Sequence, residues 1–140
     1  MISAVFDCGV VASALGWRGN PRFCLDLVYS GQALLCVTAQ VWQEYAGKIP
    51  VILAAENWPV EADKELARLL KLAHFVDAGP LGKRRSRDVA DDRYLAAALG
   101  AGAKCVVTND RDLLTLGKPF GVSMLTPIEF IKMARAHETV

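Results

Sequence analysis

The stretch from Asp88 to Leu114 most constrains what this chain can fold into. It reads as an acid-headed helix, a glycine turn, a short β-branched run and a loop carrying Asn109, Asp110 and Asp112. Asp88 is placed to N-cap the helix, with Asp91 three residues on as its capping partner. Asp92 is then left without a capping role. Leu95, Ala96 and Leu99 follow it at i+3, i+4 and i+7, so its carboxylate is expected on the face that packs inward, where a charge needs a partner. Gly100-Ala-Gly102 signals the helix end, and Lys104 to Thr108 suits a central parallel strand. Asn109, Asp110 and Asp112 then fall just past that strand's carboxyl end, where open α/β sheets bind ligands.

The chain opens on the same pattern. Ile2 to Phe6 is a short apolar strand closed by Asp7. Two such strands, each followed by Asp, predict one acidic pocket. Between them strand and helix alternate. Val10 to Leu15 starts a first helix, Gly16 to Pro21 breaks it, and a second runs from about Arg22 to Ser30. Ala33 to Val37 is a buried strand. Thr38 caps a helix with Val41, Trp42, Tyr45 and Ile49 on its apolar stripe, bordered by Glu44, and Pro50 is expected to kink or end it. A helix from about Val60 to Leu72 and a strand Ala73 to Val76 follow, then the long cationic loop Asp77 to Arg87 with Lys83, Arg84, Arg85 and Arg87. Gly121 to Leu125 is a last strand. Thr126-Pro-Ile-Glu129 is a capping box with Pro at the first helical position, heading a helix to about Ala136. Such alternation predicts a parallel sheet with right-handed crossovers and helices on both faces.

At 140 residues, about half of them apolar, residues 1–140 are expected to form one domain with a sizeable core. The net charge of +1 announces no bulk affinity for nucleic acid. Gathering the acids in one pocket would leave the remaining surface relatively basic. The four cysteines, Cys8, Cys24, Cys36 and Cys105, are scattered and sit mostly in apolar runs, which reads as buried free thiols in a reducing, cytoplasmic setting. No signal peptide or membrane span is expected.

The candidate chemistry narrows by residue type. No Gly-rich phosphate loop follows a strand, and no Ser sits in a nucleophile elbow. The two histidines, His74 and His137, suit packing or solvated positions. Carboxylates remain: Asp7, Glu44, Asp92 and Asp110, with Asp91 and Asp112 as further candidates. Asp112 competes with Asp110 for the fourth place, its alternative being an N-cap for Leu113-Leu-Thr115. Four carboxylates in one partly buried site require a proton or a cation, since two charges about 4 Å apart repel by roughly 4 kcal/mol at an effective dielectric of about 20. All-oxygen donors favour a hard ion, Mg²⁺ or Mn²⁺, and such an ion suits phosphodiester hydrolysis. The Lys83 to Arg87 cluster reads either as a solvated loop or as a phosphate-backbone contact, and Trp17, Trp42 and Trp58 read most simply as core or dimer-interface residues, with base stacking by Trp17 and Arg18 in their Gly-bounded loop as the alternative.

Asp7 after the first strand, Thr38 with Glu44 six residues later, Asp91-Asp-Arg-Tyr-Leu-Ala-Ala-Ala98, and Val107-Thr-Asn-Asp-Arg-Asp-Leu-Leu114 together resemble the PIN-domain ribonucleases, in particular the VapC-like toxins of type II toxin–antitoxin systems. Leu125-Thr-Pro-Ile-Glu-Phe130 is similar to that group's last strand and helix. The resemblance implies a three-layer α/β/α PIN-like fold around a five-stranded parallel sheet. It also implies a Mg²⁺- or Mn²⁺-dependent endoribonuclease, a homodimer and inhibition by a small antitoxin protein. Carried over, Asp7, Glu44, Asp92 and Asp110 form the acidic quartet, with Thr108 orienting a ligand. The family usually continues from its first Asp with Thr-Asn, whereas Cys8-Gly9 stands here. That departure motivates an alternative, a PIN-like module that binds RNA or protein with weakened catalysis. A metal-dependent phosphatase of another α/β family has less support, because no second acid follows Asp7 by two residues.

Overall fold

The computed structural model describes residues 1–138. Strand β1 (Ile2–Phe6) leads through Asp7 into helix α1 (Cys8–Gly16), and α2 (Asn20–Tyr29) follows. Pro21 lies in the first turn of α2, where its missing N–H costs nothing, so that helix starts earlier than the sequence pattern suggested. Next come β2 (Ala33–Val37), α3 (Ala39–Ala55), α4 (Ala62–Leu70) and the two-residue β3 (His74–Phe75). A 3-10 turn (Val89–Asp91) runs into α5 (Asp92–Ala101), which Gly102 closes in the left-handed region. Then β4 (Cys105–Val107), α6 (Arg111–Leu114), β5 (Ser123–Leu125) and α7 (Pro127–Glu138) complete the described chain.

The five strands form one parallel sheet in the order β3-β2-β1-β4-β5. The strand order reverses direction between β1 and β4, so the carboxyl ends of these two strands flank the switch point at which such sheets bind ligands. Their register sets what meets there. Phe6 is paired with Val107, so the next residues, Asp7 and Thr108, come side by side. The Asp7 amide extends the ladder by donating to the Val107 carbonyl at 3.0 Å. Helix α5 packs over β1, β2 and β4, α1 packs between α2 and α3, and α7 against α2 and β5, giving the three-layer α/β/α arrangement. Phe6 and Phe130 meet edge to face at 5.6 Å in the core, and all four cysteines are buried free thiols. Among the described residues, no helix is long and apolar enough to cross a membrane.

The long loop between β3 and α5 is tied to α5 itself by backbone contact. Gly79 donates to the Ala96 carbonyl at 2.8 Å, and a Cβ on Gly100 would lie 1.8 Å from the Asp77 carbonyl oxygen. Only glycine at position 100 lets loop and helix approach so closely. The capping box at the last helix forms as expected: the Thr126 amide and hydroxyl donate to Glu129, and the Glu129 amide donates back.

Pro50 neither ends nor breaks α3, which continues to Ala55. Burial explains the outcome. Ile49 and Leu53, on either side of the proline, are buried, and each contributes about 1.5–3 kcal/mol. Against that stands a cost of about 3 kcal/mol for an interior proline. The carbonyl left without its N–H partner belongs to Ala46 on the exposed side, where water can satisfy it. Pro50→Ala should therefore restore a helical hydrogen bond and raise the unfolding free energy by about 1–2 kcal/mol. A denaturant melt checks this, and an unchanged midpoint would mean that solvent already compensates the proline.

Candidate active site

The acidic site is built first from Asp7. Its Oδ1 accepts from the Val10 amide at 2.8 Å, capping α1, and its Oδ2 accepts from the Thr108 hydroxyl. That hydroxyl also accepts from the Asp110 amide at 2.9 Å. Thr108 thus ties together the acids that follow β1 and β4. Asp110 in turn caps α6 by accepting from the Asp112 amide at 2.9 Å, so Asp110 rather than Asp112 is the helix cap. Asp7 is only 8% exposed. Burial raises its pKa against the opposing pull of the Thr108 and Val10 hydrogen bonds, and Asp110 and Glu44 raise it further.

Asp7, Glu44, Asp91 and Asp110 line one cleft of about 420 Å³, together with Gly9, Lys48 and Tyr94. Asp91, Asp110 and Asp112 offer carboxylate oxygens that all lie within 4.8 Å of one another. Burial, then Asp110 as hydrogen-bonded neighbour and as charge, with smaller contributions from Asp88 and Asp7, pushes the Asp91 carboxyl up to about 7. Its Oδ2 is buried and has no hydrogen-bond partner among the described residues. Asp88 does cap, but it caps the 3-10 turn, accepting from the Ala90 amide at 3.0 Å; Asp91 does not take part in that box.

Asp92 lies elsewhere. It does face inward, 8% exposed, but its carboxylate accepts from the backbone amides of Arg85 at 2.9 Å and Ser86 at 2.6 Å. The expected quartet member is therefore replaced in the cleft by its neighbour. Consecutive residues project about 100° apart around a helix, and at the junction of the 3-10 turn and α5 that rotation separates cleft from loop. The partner that a buried Asp92 charge required is the cationic loop's own backbone.

The loop cations are partly committed. Arg84 donates to the carbonyls of Ser86 and Arg87, while Arg85 donates twice to Leu81 and lies 4.8 Å above the Phe120 ring. Lys83 and Arg87 remain exposed. Glu44 is also engaged. Its carboxylate pairs with Arg93, accepts from the Tyr94 hydroxyl and lies 3.6 Å from the Lys48 ammonium. Tyr94 accepts from the Cys8 amide at 3.1 Å, linking this network to the start of α1. Arg93, Tyr94 and Lys48 were not singled out from the sequence. The Glu44/Lys48 spacing of i, i+4 was the one signal that could have found part of the network.

The donor set fits a hard divalent ion. The oxygens come from carboxylates alone, they are crowded, and one is buried without a partner. Two acid side chains of ordinary pKa at such separations would repel by roughly 3–4 kcal/mol at an effective dielectric of about 20. Without a cation, the raised Asp91 value means that the native state holds a proton which the unfolded chain has released. The native chain binds more protons than the unfolded one between the ordinary value of 3.8 and about 7. This contribution to stability is present in acid and is lost as pH rises through that window. In chelator, the melting temperature should fall between about pH 4 and pH 7, and Mn²⁺ should raise it more near pH 8 than near pH 5. Asp91→Asn should flatten that dependence; a profile unaltered by this change would contradict the assignment.

A family model described as a PIN domain matches residues 3–112, a span that begins in β1 and ends at Asp112 just after β4. No curated protein and no solved structure matches the chain. The match takes in the carboxylates of the cleft and four of the five strands. With most of its length under that model, and with Asp7 and Asp110 joined through Thr108 at the switch point of a five-stranded parallel sheet, this chain belongs to the PIN-domain family.

Proposed function

We propose that this chain is a metal-dependent endoribonuclease that hydrolyses RNA phosphodiester bonds, with Asp7, Asp91 and Asp110 as the principal ion-holding groups and Asp112 beside them. PIN domains are generally nucleases, and the observation that carries the reading here is the partnerless buried oxygen of Asp91 among converging carboxylates. Mg²⁺ or Mn²⁺, when bound, supplies charge neutralisation at the phosphate and activation of water. The protein's own groups prepare that site. Thr108 holds Asp7 and Asp110 in fixed relation, and Arg93 with Tyr94 holds Glu44 at the cleft wall. Lys48, largely exposed beside Glu44, offers a cation to an incoming phosphate.

Water is the nucleophile in this reading, because the side chains offer none. Burial, then Glu44 and Asp7, push the Cys8 thiol up to about 12, far from a reactive thiolate. Ser13 lines the cleft with no histidine among its walls to act as base. A second reading, binding without cleavage, draws on Glu44, whose charge Arg93 and Lys48 already neutralise, and on the bare wall at Gly9. The family resemblance of the motifs extends the first reading to a toxin of a toxin–antitoxin pair, with an antitoxin partner and a homodimer.

Purified protein should cut single-stranded RNA with Mg²⁺ or Mn²⁺ and stop in chelator. Asp7→Asn and Asp91→Asn should each lower cleavage by about 100-fold or more. Asp92→Asn should instead act through stability, costing about 1.5–3 kcal/mol as its charged hydrogen bonds weaken, while the remaining folded protein still cuts. Undiminished cleavage by Asp91→Asn would overturn the assignment, and RNA binding without products at saturating Mn²⁺ would favour the second reading.

A further inference from the structure

The acidic cleft is one end of a longer depression. It shares Ser13 and Asn109 as walls with a second hollow of about 400 Å³, and that hollow shares Trp17 and Gly19 with a third of about 920 Å³. A trough therefore leads from the carboxylates past Trp17 to Arg18 and Phe23. We propose that this trough holds a single-stranded RNA segment flanking the bond presented to the carboxylates, with an unpaired base stacked on Trp17 and Arg18 against the adjoining backbone; this rests on the ribonuclease reading above.

Trp17 is 61% exposed, whereas Trp42 and Trp58 pack against the core. Its ring lies over the backbone of Gly19. Gly19 has φ +149, a backbone conformation side chains rarely adopt, and a Cβ there would come within 3.0–3.5 Å of three carbons of the six-membered ring. A wide apolar ring open to solvent is a stacking surface, and only an unpaired base has a free face to offer it.

Charge along the trough agrees. A polyanion approaching crowded acids needs cations beside them. The Arg18 guanidinium is exposed and unpaired among the described residues. Arg22 is already used, pairing with Asp26 at 3.2 Å and donating to the Ala14 carbonyl at 3.4 Å. The one carboxylate in that part of the trough is thus neutralised, and Arg18 is left for the phosphate. Ser13, Asn20 and Asn109 supply polar groups between the two ends.

Octauridylate tests the path by steady-state cleavage and by intrinsic fluorescence. Trp17→Ala should raise KM roughly tenfold, the size expected for loss of one base stack, and Trp17→Phe should recover much of it. In Asp7→Asn protein, which is expected not to cut, octauridylate should quench the fluorescence, and adding Trp17→Phe should remove most of the quenching, because Trp42 and Trp58 are half-buried against the core and do not line the trough. Circular dichroism melts check that the exposed substitution leaves the fold intact. An unchanged KM in Trp17→Ala, or quenching that survives Trp17→Phe, overturns the path while leaving the ribonuclease reading in place. An equal effect on a fully paired substrate also overturns it, as does loss of affinity for a protein partner with RNA cleavage untouched. Failure of the native chain to cut any RNA removes the underlying reading and the path with it.

Discussion

The Thr108 hydroxyl is the joint on which the site depends. It gives its one proton to Asp7 and accepts the Asp110 amide, so residues more than a hundred positions apart in the chain are fixed across a single side chain. The joint exists because Phe6 and Val107 are in register on adjacent parallel strands, which makes Asp7 and Thr108 neighbours beyond the ladder. Asp7 also caps α1 and Asp110 caps α6. The Asp7 carboxylate is thereby held from two directions, and Asp110 is held through its backbone amide by Thr108 and through its carboxylate by the Asp112 amide, before any ligand is present, which is the preorganisation an electrostatic site requires.

Crowding has a second consequence. Burial and the neighbouring Asp110 keep the Asp91 carboxyl protonated toward neutral pH, and its inner oxygen has no donor. The folded chain accepts this unfavourable arrangement where the sheet reverses its strand order, and a cation bound as proposed would relieve it. Glu44 differs, since Arg93 and Lys48 already balance it. The charge of Glu44 is balanced within the cleft, and that of Asp91 with Asp110 is not.

Much of this was readable in the residues. The apolar runs at Ile2–Phe6 and Ala33–Val37, the Thr126 to Glu129 box and the Gly102 helix end all follow from local chemistry, and each appears where that chemistry puts it. Asp7 and Asp110 were legible because residues that close parallel strands gather at one edge. The choice between Asp91 and Asp92 was not. Apolar spacing correctly turned Asp92 inward, but it could not say that the interior there holds the free amides of Arg85 and Ser86 rather than another acid. Nor could it reveal that Arg84 and Arg85 spend their guanidinium groups on nearby carbonyls. Pro50 misled for a related reason: local propensity argues for a break, and the burial of Ile49 and Leu53 outweighs it.

The central claim is that the carboxylates meeting through Thr108 form a cation site with Asp91 as a member and Asp92 outside it. Anomalous diffraction from crystals soaked in Mn²⁺ measures this directly. The account predicts a manganese peak in the cleft within coordination distance of Asp91 and of Asp7 or Asp110, with Asp92 still bound to the Arg85 and Ser86 amides. A peak ligated by Asp92, or a cleft that stays free of manganese at saturating concentration, would contradict it.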